Sequence, residues 1–194
     1  MRWPAYYDAV ADQPPHSTLV DAATRFESEG SRQRSAVDLG CGSGRDTLEL
    51  LRRGWRVLSI DAEPEGIRRL RAAAPAESAL ETRVQRIEDA RWPDADLVNA
   101  SYSLFFLAPA AFASMWQRVL ASLRPGGRFA GQILGDRDTW AADAAMTHHD
   151  RAAARRLFDG LELERFAEDE NPDGRTATGA AKHWHVFHVV ARRR

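Results

Sequence analysis

The sequence predicts one doubly wound α/β domain built on a mostly parallel seven-stranded sheet, with helices on both faces. Three observations carry this. Short apolar runs alternate with helical patterns along most of the chain. The first run, Ala36-Val37-Asp38-Leu39, passes straight into alternating glycines, Gly40, Gly42 and Gly44, and then into a helical pattern carrying Leu48 and Leu51. The next run, Trp55 to Ile60, ends in an acid, Asp61. A chain of 194 residues with 44% hydrophobic content is long enough for one well-cored α/β domain and short for two.

The glycines let the backbone turn sharply and let a ligand approach without meeting a Cβ. The helix starting behind them offers unpaired N–H groups and a positive dipole end to an anionic group. Residues 36–45 therefore read as a strand–loop–helix cradle for a cofactor. They depart from the dinucleotide fingerprint G-x-G-x-x-G, because the third glycine comes early, at Gly44, and Arg45 holds the expected place. Asp38, ahead of the first glycine, is also outside that fingerprint. The pattern Asp38-x-Gly40-x-Gly42-x-Gly44, with Asp61 ending the next strand, resembles the S-adenosylmethionine motif of class I methyltransferases. That resemblance implies a Rossmann-like sheet with an antiparallel last strand. It also implies S-adenosyl-L-methionine as cofactor and S-adenosyl-L-homocysteine as product.

Composition narrows the field. A net charge of −1 gives no broad basic face, so no nucleic-acid partner is expected. Basic character is almost all arginine, with Lys182 the sole lysine. The single cysteine, Cys41, permits no intrachain disulfide and no cysteine-based metal cluster, and no metal site is expected. Within the glycine loop it reads as a small loop side chain. The start of the chain lacks a signal-peptide apolar core, and the longest apolar stretch, Leu104 to Trp116, is too short for a bilayer and contains Pro109. The expectation is a cytoplasmic protein without a membrane partner, monomeric or homodimeric.

Residues 1–30 read as an arm and helix ahead of a core at 31–194. The opening, Met1 to Pro15, is rich in aromatics and proline, and Leu19, Val20, Ala23 and Phe26 form the apolar side of a helix stopped by Gly30. Trp3, Tyr6 and Tyr7 have two readings, a hydrophobic anchor or a lid over the cofactor. The pair Tyr6-Tyr7 followed by Pro15-His16-Ser17 is similar to the start of the bacterial tellurite-resistance methyltransferases, which makes Tyr7 and His16 lid and substrate candidates.

Asp61 stands where nucleotide folds place the acid that binds the ribose hydroxyls. Its competing reading is a cap for the helix opened by Glu63-Pro64-Glu65. Thr82 to Ile87 reads as the third strand, followed by Glu88-Asp89-Ala90, where the resemblance places the adenine contact and a solvated loop acid is the alternative. Ala95 to Ser101 is the fourth strand, with Tyr102 and Ser103 at its carboxyl end. Pro109 opens a helix with Phe112, Trp116, Val119, Leu120 and Leu123 as its stripe. The turn Leu123-Arg124-Pro125-Gly126-Gly127 then leads into a fifth strand, Phe129 to Leu134, and it too resembles the class I methyltransferases.

The loop from Gly135 to Trp140 should rim the substrate pocket, with Arg137 and Trp140 as candidates. Thr147-His148-His149-Asp150 reads as a helix start capped by Thr147. Leu161 to Asp169 and Lys182 to Ala191 alternate as the two strands of a hairpin about Asn171-Pro172-Asp173-Gly174. If the last strand is antiparallel, its beginning lies at the cofactor end. Arg175, Lys182, His183 and His185 then form a basic cluster facing an anionic substrate.

The expected cofactor set is Asp38, Gly40, Cys41, Gly42, Ser43, Gly44, Arg45, Asp61, Ala62, Glu88, Asp89, Ala90, Ser101 and Tyr102. The expected function is methyl transfer from S-adenosylmethionine to a small molecule or oxyanion, an in-line displacement that demands orientation more than acid–base groups. No catalytic residue is assigned. A non-enzymatic cofactor-binding protein and an NAD-dependent Rossmann protein are the alternatives.

Overall fold

The computed structural model describes residues 3–30 and 33–194. Met1 and Arg2 of the expected arm, and Ser31 and Arg32 of the expected core, lie outside the described residues. The arm forms helix α1 (Trp3–Val10), followed by α2 (Ser17–Ser28), whose Leu19, Ala22, Ala23 and Phe26 fall on one buried stripe. Strand β1 (Ser35–Leu39) leads through the glycines into α3 (Arg45–Arg52), and β2 (Arg56–Asp61) into α4 (Pro64–Ala73), which carries its proline in the first turn. Then come β3 (Leu80–Val84), β4 (Ala95–Ala100), α5 (Pro109–Ser122), β5 (Leu123–Leu134), α6 (Arg151–Arg156), β6 (Leu161–Asn171) and β7 (Trp184–Arg193).

The seven strands lie in the order β3-β2-β1-β4-β5-β7-β6. Pairings among β1 to β5 are parallel, and β7 inserts antiparallel between β5 and β6. This is the doubly wound sheet with an antiparallel last strand that the sequence predicts. Period-two alternation splits its side chains between two cores. Val37, Leu58, Val98, Phe129 and Val189 pack under α5 with Phe158. Their neighbours Ala36, Val57, Leu97, Ala130 and Val190 pack under α2 and α3 with Leu19, Phe26 and Leu50.

One charge is sealed beneath α2. The guanidinium of Arg128, 1% exposed, lies 4.4 Å from the Phe26 ring centroid, with Nε donating to Glu164 at 2.7 Å and Nη2 to Glu29 at 2.5 Å. Burial alone would weaken its charge, but the two carboxylates outweigh that and raise its pKa further.

Three local expectations change. The third strand begins earlier, at Leu80, and ends at Val84, because Ile87–Asp89 turn into a short 3₁₀ segment. Pairing of β5 with β4 jumps from Leu123↔Ala95 to Arg128↔Leu97, so the Pro-Gly-Gly turn, with Gly126 at φ 77, is looped out within the strand rather than preceding it. Thr147 does not cap a helix: its hydroxyl donates to Leu107 O at 2.7 Å. Asp150 caps α6 instead, accepting from Ala153 N at 2.6 Å. Among the described residues, no helix is long and apolar enough to cross a membrane.

Candidate functional site

The strand order reverses between β1 and β4, and the carboxyl ends of β1, β2 and β4 leave a crevice there, where open parallel sheets collect ligands. It is a cleft of about 350 Å³. Its floor is the glycine turn. Gly40 packs so closely on Ser103 that a Cβ would stand 2.4 Å from the serine Cβ, while Ser103 Oγ donates to Leu39 O at 2.6 Å. One wall is Asp61, whose carboxylate accepts from Gly42 N and Glu63 N, each at 2.8 Å. Burial raises its pKa, while the N–H groups of Glu63, Gly42 and Ala62 pull the other way.

Beneath the turn lies a buried polar network. Asp38, 2% exposed, accepts from Thr47 Oγ1 at 2.6 Å and from Asn99 Nδ2 at 2.9 Å; the same amide nitrogen donates to Asp46 at 3.0 Å. Burial and the neighbouring Asp46 charge push the Asp38 carboxyl well up. Burial would raise Asp46 too, but hydrogen bonds from the His16 side chain, Ser101 and the His16 backbone N–H outweigh it and hold this carboxylate low. Asp38 thus borders the cleft with its oxygens already engaged in bracing the glycine turn.

The arm closes the cleft from above. Tyr7, 2% exposed, sets its ring against Gly42, where a Cβ would stand 3.2 Å from the ring. Asp8 in α1 pairs with Arg69 of α4 at 2.6 Å. His16 anchors the start of α2: its backbone N–H donates to Asp46 Oδ1 at 2.9 Å and its Nδ1 lies 3.0 Å from Oδ2. Arg45 Nη1 sits 3.1 Å from His16 Nε2. An arginine only donates, so this contact places the ring lone pair on Nε2 and the proton on Nδ1, toward Asp46.

Tyr102, at the end of β4, is the one described non-glycine residue at positive φ, 51°. Its N–H is held by Gln132 Oε1 at 3.1 Å, and burial pushes its phenol up to about 12. The strained backbone turns the ring toward His16, at 5.3 Å between centroids, and Trp184, at 5.8 Å. Beyond it the cleft opens into a wider cavity of about 890 Å³, with Trp140 among its walls.

Most of the expected cofactor residues come together here: Asp38, Gly40, Cys41, Gly42, Ser43, Arg45, Asp61, Ala62, Glu88, Ser101 and Tyr102 all line the cleft. Gly44 does not; it starts α3 at φ 93 with its α-carbon against Leu70, where a Cβ would stand 2.4 Å from Cδ1. Asp89 is exposed and outside the lining, and Ala90 is wholly buried against α5; the 3₁₀ turn presents Glu88 to the cleft instead. The Cys41 thiol is buried and pushed well up by that burial and by Asp38 and Asp61, which leaves little thiolate.

The expected basic cluster is turned elsewhere. Phe187, Val189 and Ala191 continue the face covered by α5, and His185 and His183 share their parity. His185, 0% exposed, sits 5.1 Å from Phe187 between centroids and bonds Glu168 at 2.9 Å; His183 bonds Glu170 at 2.9 Å. Arg137 is held by Glu168 and Glu170, each at 2.8 Å, and Arg175 donates to Gly179 O. Lys182 is buried in an ion pair with Asp138. None of these five lines the cleft or the wider cavity. The opposite face of β7, with Trp184, Val186 and His188, looks toward them.

Sequence reasoning missed Asp46, Ile87, Phe106 and Leu107 among the cleft residues and Trp184 in the cavity. Asp46 had a signal, a carboxylate in the first turn of the helix behind the glycines. The apolar ones had none beyond their hydrophobicity.

Residues 36–127 match the model of a methyltransferase domain family. The chain is 29% identical over 122 residues to a carboxy-S-adenosyl-L-methionine synthase of Aliivibrio fischeri, covering 59% of this chain and 50% of that protein. It is 30% identical over 107 residues to an uncharacterised methyltransferase of Synechocystis, covering 55% and 50%. The chain thus spans about half the length of the curated relatives it matches. Among solved structures it resembles TehB of Haemophilus influenzae, with TM-score 0.81 at 18% identity over 97% of this chain and 66% of that one. Magnesium protoporphyrin IX methyltransferase of Synechocystis gives TM-score 0.72 at 12% identity, covering 99% and 91%. Residues 36–127 thus carry a methyltransferase-domain match on a chain whose fold is that of the class I S-adenosylmethionine-dependent methyltransferases.

Proposed function

We propose that the protein transfers the methyl group of S-adenosylmethionine to a small-molecule acceptor. The observation carrying this is the join of Asp61 to the glycine turn through Gly42 N–H, on one wall of the cleft at the strand-order reversal. Asp61 is placed to take the ribose hydroxyls, Glu88 and the loop after β3 to border the base, and the turn at Gly40 to Gly42 to admit the amino acid moiety. The cofactor supplies a methyl group already activated on a sulfonium. The chain's own task is then to orient the acceptor and keep water out, which suits a cleft roofed by Tyr6 and Tyr7. We read residues 1–30 as a lid-bearing arm on a single methyltransferase domain.

An oxyanion acceptor loses its support, because the cations expected to hold it are paired with carboxylates or bound to backbone away from the cleft. Thermal-shift titration with S-adenosylhomocysteine and with NAD tests the cofactor. A rise in melting temperature with the first and none with the second is expected; the reverse would overturn the reading. Methyl transfer from labelled S-adenosylmethionine across an acceptor panel separates an enzyme from a protein that only binds the cofactor.

A further inference from the structure

The wider cavity beyond Tyr102 is walled by a continuous belt of rings from four separate segments. Centroid distances are 5.7 Å for Trp3–Phe106, 5.6 Å for Phe106–Trp140, 5.4 Å for Trp140–Trp184 and 5.8 Å for Trp184–Tyr102. Contacts of this length are those of rings fixing one another's orientation. Tyr102 and Phe106 border both this cavity and the cofactor cleft, so an occupant stacked against the belt abuts the reacting end of that cleft.

Two of the rings rest on a buried cation. Lys182 Nζ lies 3.9 Å from the Trp140 centroid and 4.1 Å from that of Trp184, and it is paired with Asp138. Asp138 in turn accepts from Trp140 N at 2.9 Å and His185 N at 3.0 Å. The lysine is 3% exposed and absent from the cavity wall, so it stands behind the indoles. A cation on one face of a ring draws π density toward itself and leaves the other face less negative. The cavity-side faces are therefore poor partners for a second cation and good ones for a neutral π system. Of the other charged groups in the cavity wall, Arg45 donates to Pro14 O and contacts His16, while the Asp169 carboxylate, its side chain 68% exposed, lies 3.7 Å from His188 Nε2 at the solvent side.

We propose that this cavity is the acceptor site and that it takes a planar, uncharged aromatic or heteroaromatic molecule, packed against the belt formed by the indoles of Trp140 and Trp184 and the ring of Tyr102. The proposal rests on the methyltransferase reading and narrows its acceptor class.

The test is isothermal titration with 2-naphthol as probe, with and without saturating S-adenosylhomocysteine. Decahydro-2-naphthol serves as the saturated control and tellurite as the oxyanion. One-to-one binding of 2-naphthol is expected, about tenfold or more tighter than its saturated analogue, with no binding of tellurite. Trp140→Ala and Trp184→Ala should each weaken 2-naphthol by about tenfold while leaving S-adenosylhomocysteine affinity unchanged, and Trp184→Phe should restore most of it. Equal binding of the two alcohols, binding of tellurite, or a protein that binds S-adenosylhomocysteine but not 2-naphthol would overturn the proposal. Failure to bind S-adenosylhomocysteine would instead overturn the methyltransferase reading, and 2-naphthol binding to the free protein would still report on the cavity.

Discussion

His16 Nδ1 stands 3.0 Å from the carboxylate of Asp46, tying the start of α2, where the arm joins the core, to the helix behind the glycine turn. The pair is the hinge between roof and floor of the cleft. Removing the imidazole leaves a carboxylate that is 4% exposed with Asn99 and Ser101 as remaining side-chain donors. His16→Ala should lower unfolding free energy by about 1–3 kcal/mol and reduce methyl transfer. Denaturant melts with unchanged midpoint and full turnover would show that the pair does neither.

Asp38 gives the fold a pH signature. Its carboxyl is raised in the folded state, from 3.8 to about 7, by burial and by Asp46. The sign follows from linkage: the folded protein holds this proton more tightly than the unfolded chain. The resulting stability is fully present below the unfolded value and is lost as pH rises through the folded one. Between about pH 5 and 8 the wild type should lose stability more steeply than Asp38→Asn. Parallel stability curves for the two proteins would contradict this.

The strands and the glycine turn were legible because each announces itself locally: an apolar run, a glycine that must turn, an acid at a strand end. Alternation alone separates the two faces of β7, with His183 and His185 on one and Trp184 and His188 on the other. Which face meets the cleft was not local information. It was decided by α5 and Phe158 claiming Phe187, Val189 and Ala191, contacts made across the sheet. The aromatic belt was hidden for the same reason, since Trp3, Phe106, Trp140 and Trp184 meet only in three dimensions. Thr147 was misread because its hydroxyl finds a distant carbonyl, Leu107 O, and not the nearby helix.

Arg128 is a stability residue remote from the proposed chemistry. Arg128→Ala leaves Glu164, whose side chain is 9% exposed, without its main partner. Breaking such a buried pair costs about 3–5 kcal/mol. Thermal unfolding should show the loss, and S-adenosylhomocysteine affinity of the folded fraction should not change. A near-neutral melting temperature would mean that Glu29 and Glu164 find other cations or water.

The arm supplies the roof. Deleting residues 1–12 removes Tyr6 and Tyr7 from the cleft while leaving both sheet faces covered by α2, α3 and α5. Far-ultraviolet circular dichroism should stay native-like. Turnover should fall by roughly tenfold or more, the effect of about 1.4 kcal/mol at the transition state. Equal turnover would leave α1 as a packing anchor alone.

Asp61 carries the central claim. Isothermal titration of S-adenosylhomocysteine into the wild type and into Asp61→Ala, both shown to be folded, is its most direct measurement. Two ribose hydrogen bonds to a carboxylate contribute about 1.5–3 kcal/mol each, so one-to-one binding by the wild type and a loss of about a hundredfold or more in the variant are predicted. Near-wild-type affinity in folded Asp61→Ala, or no binding to the wild type at all, would contradict the account.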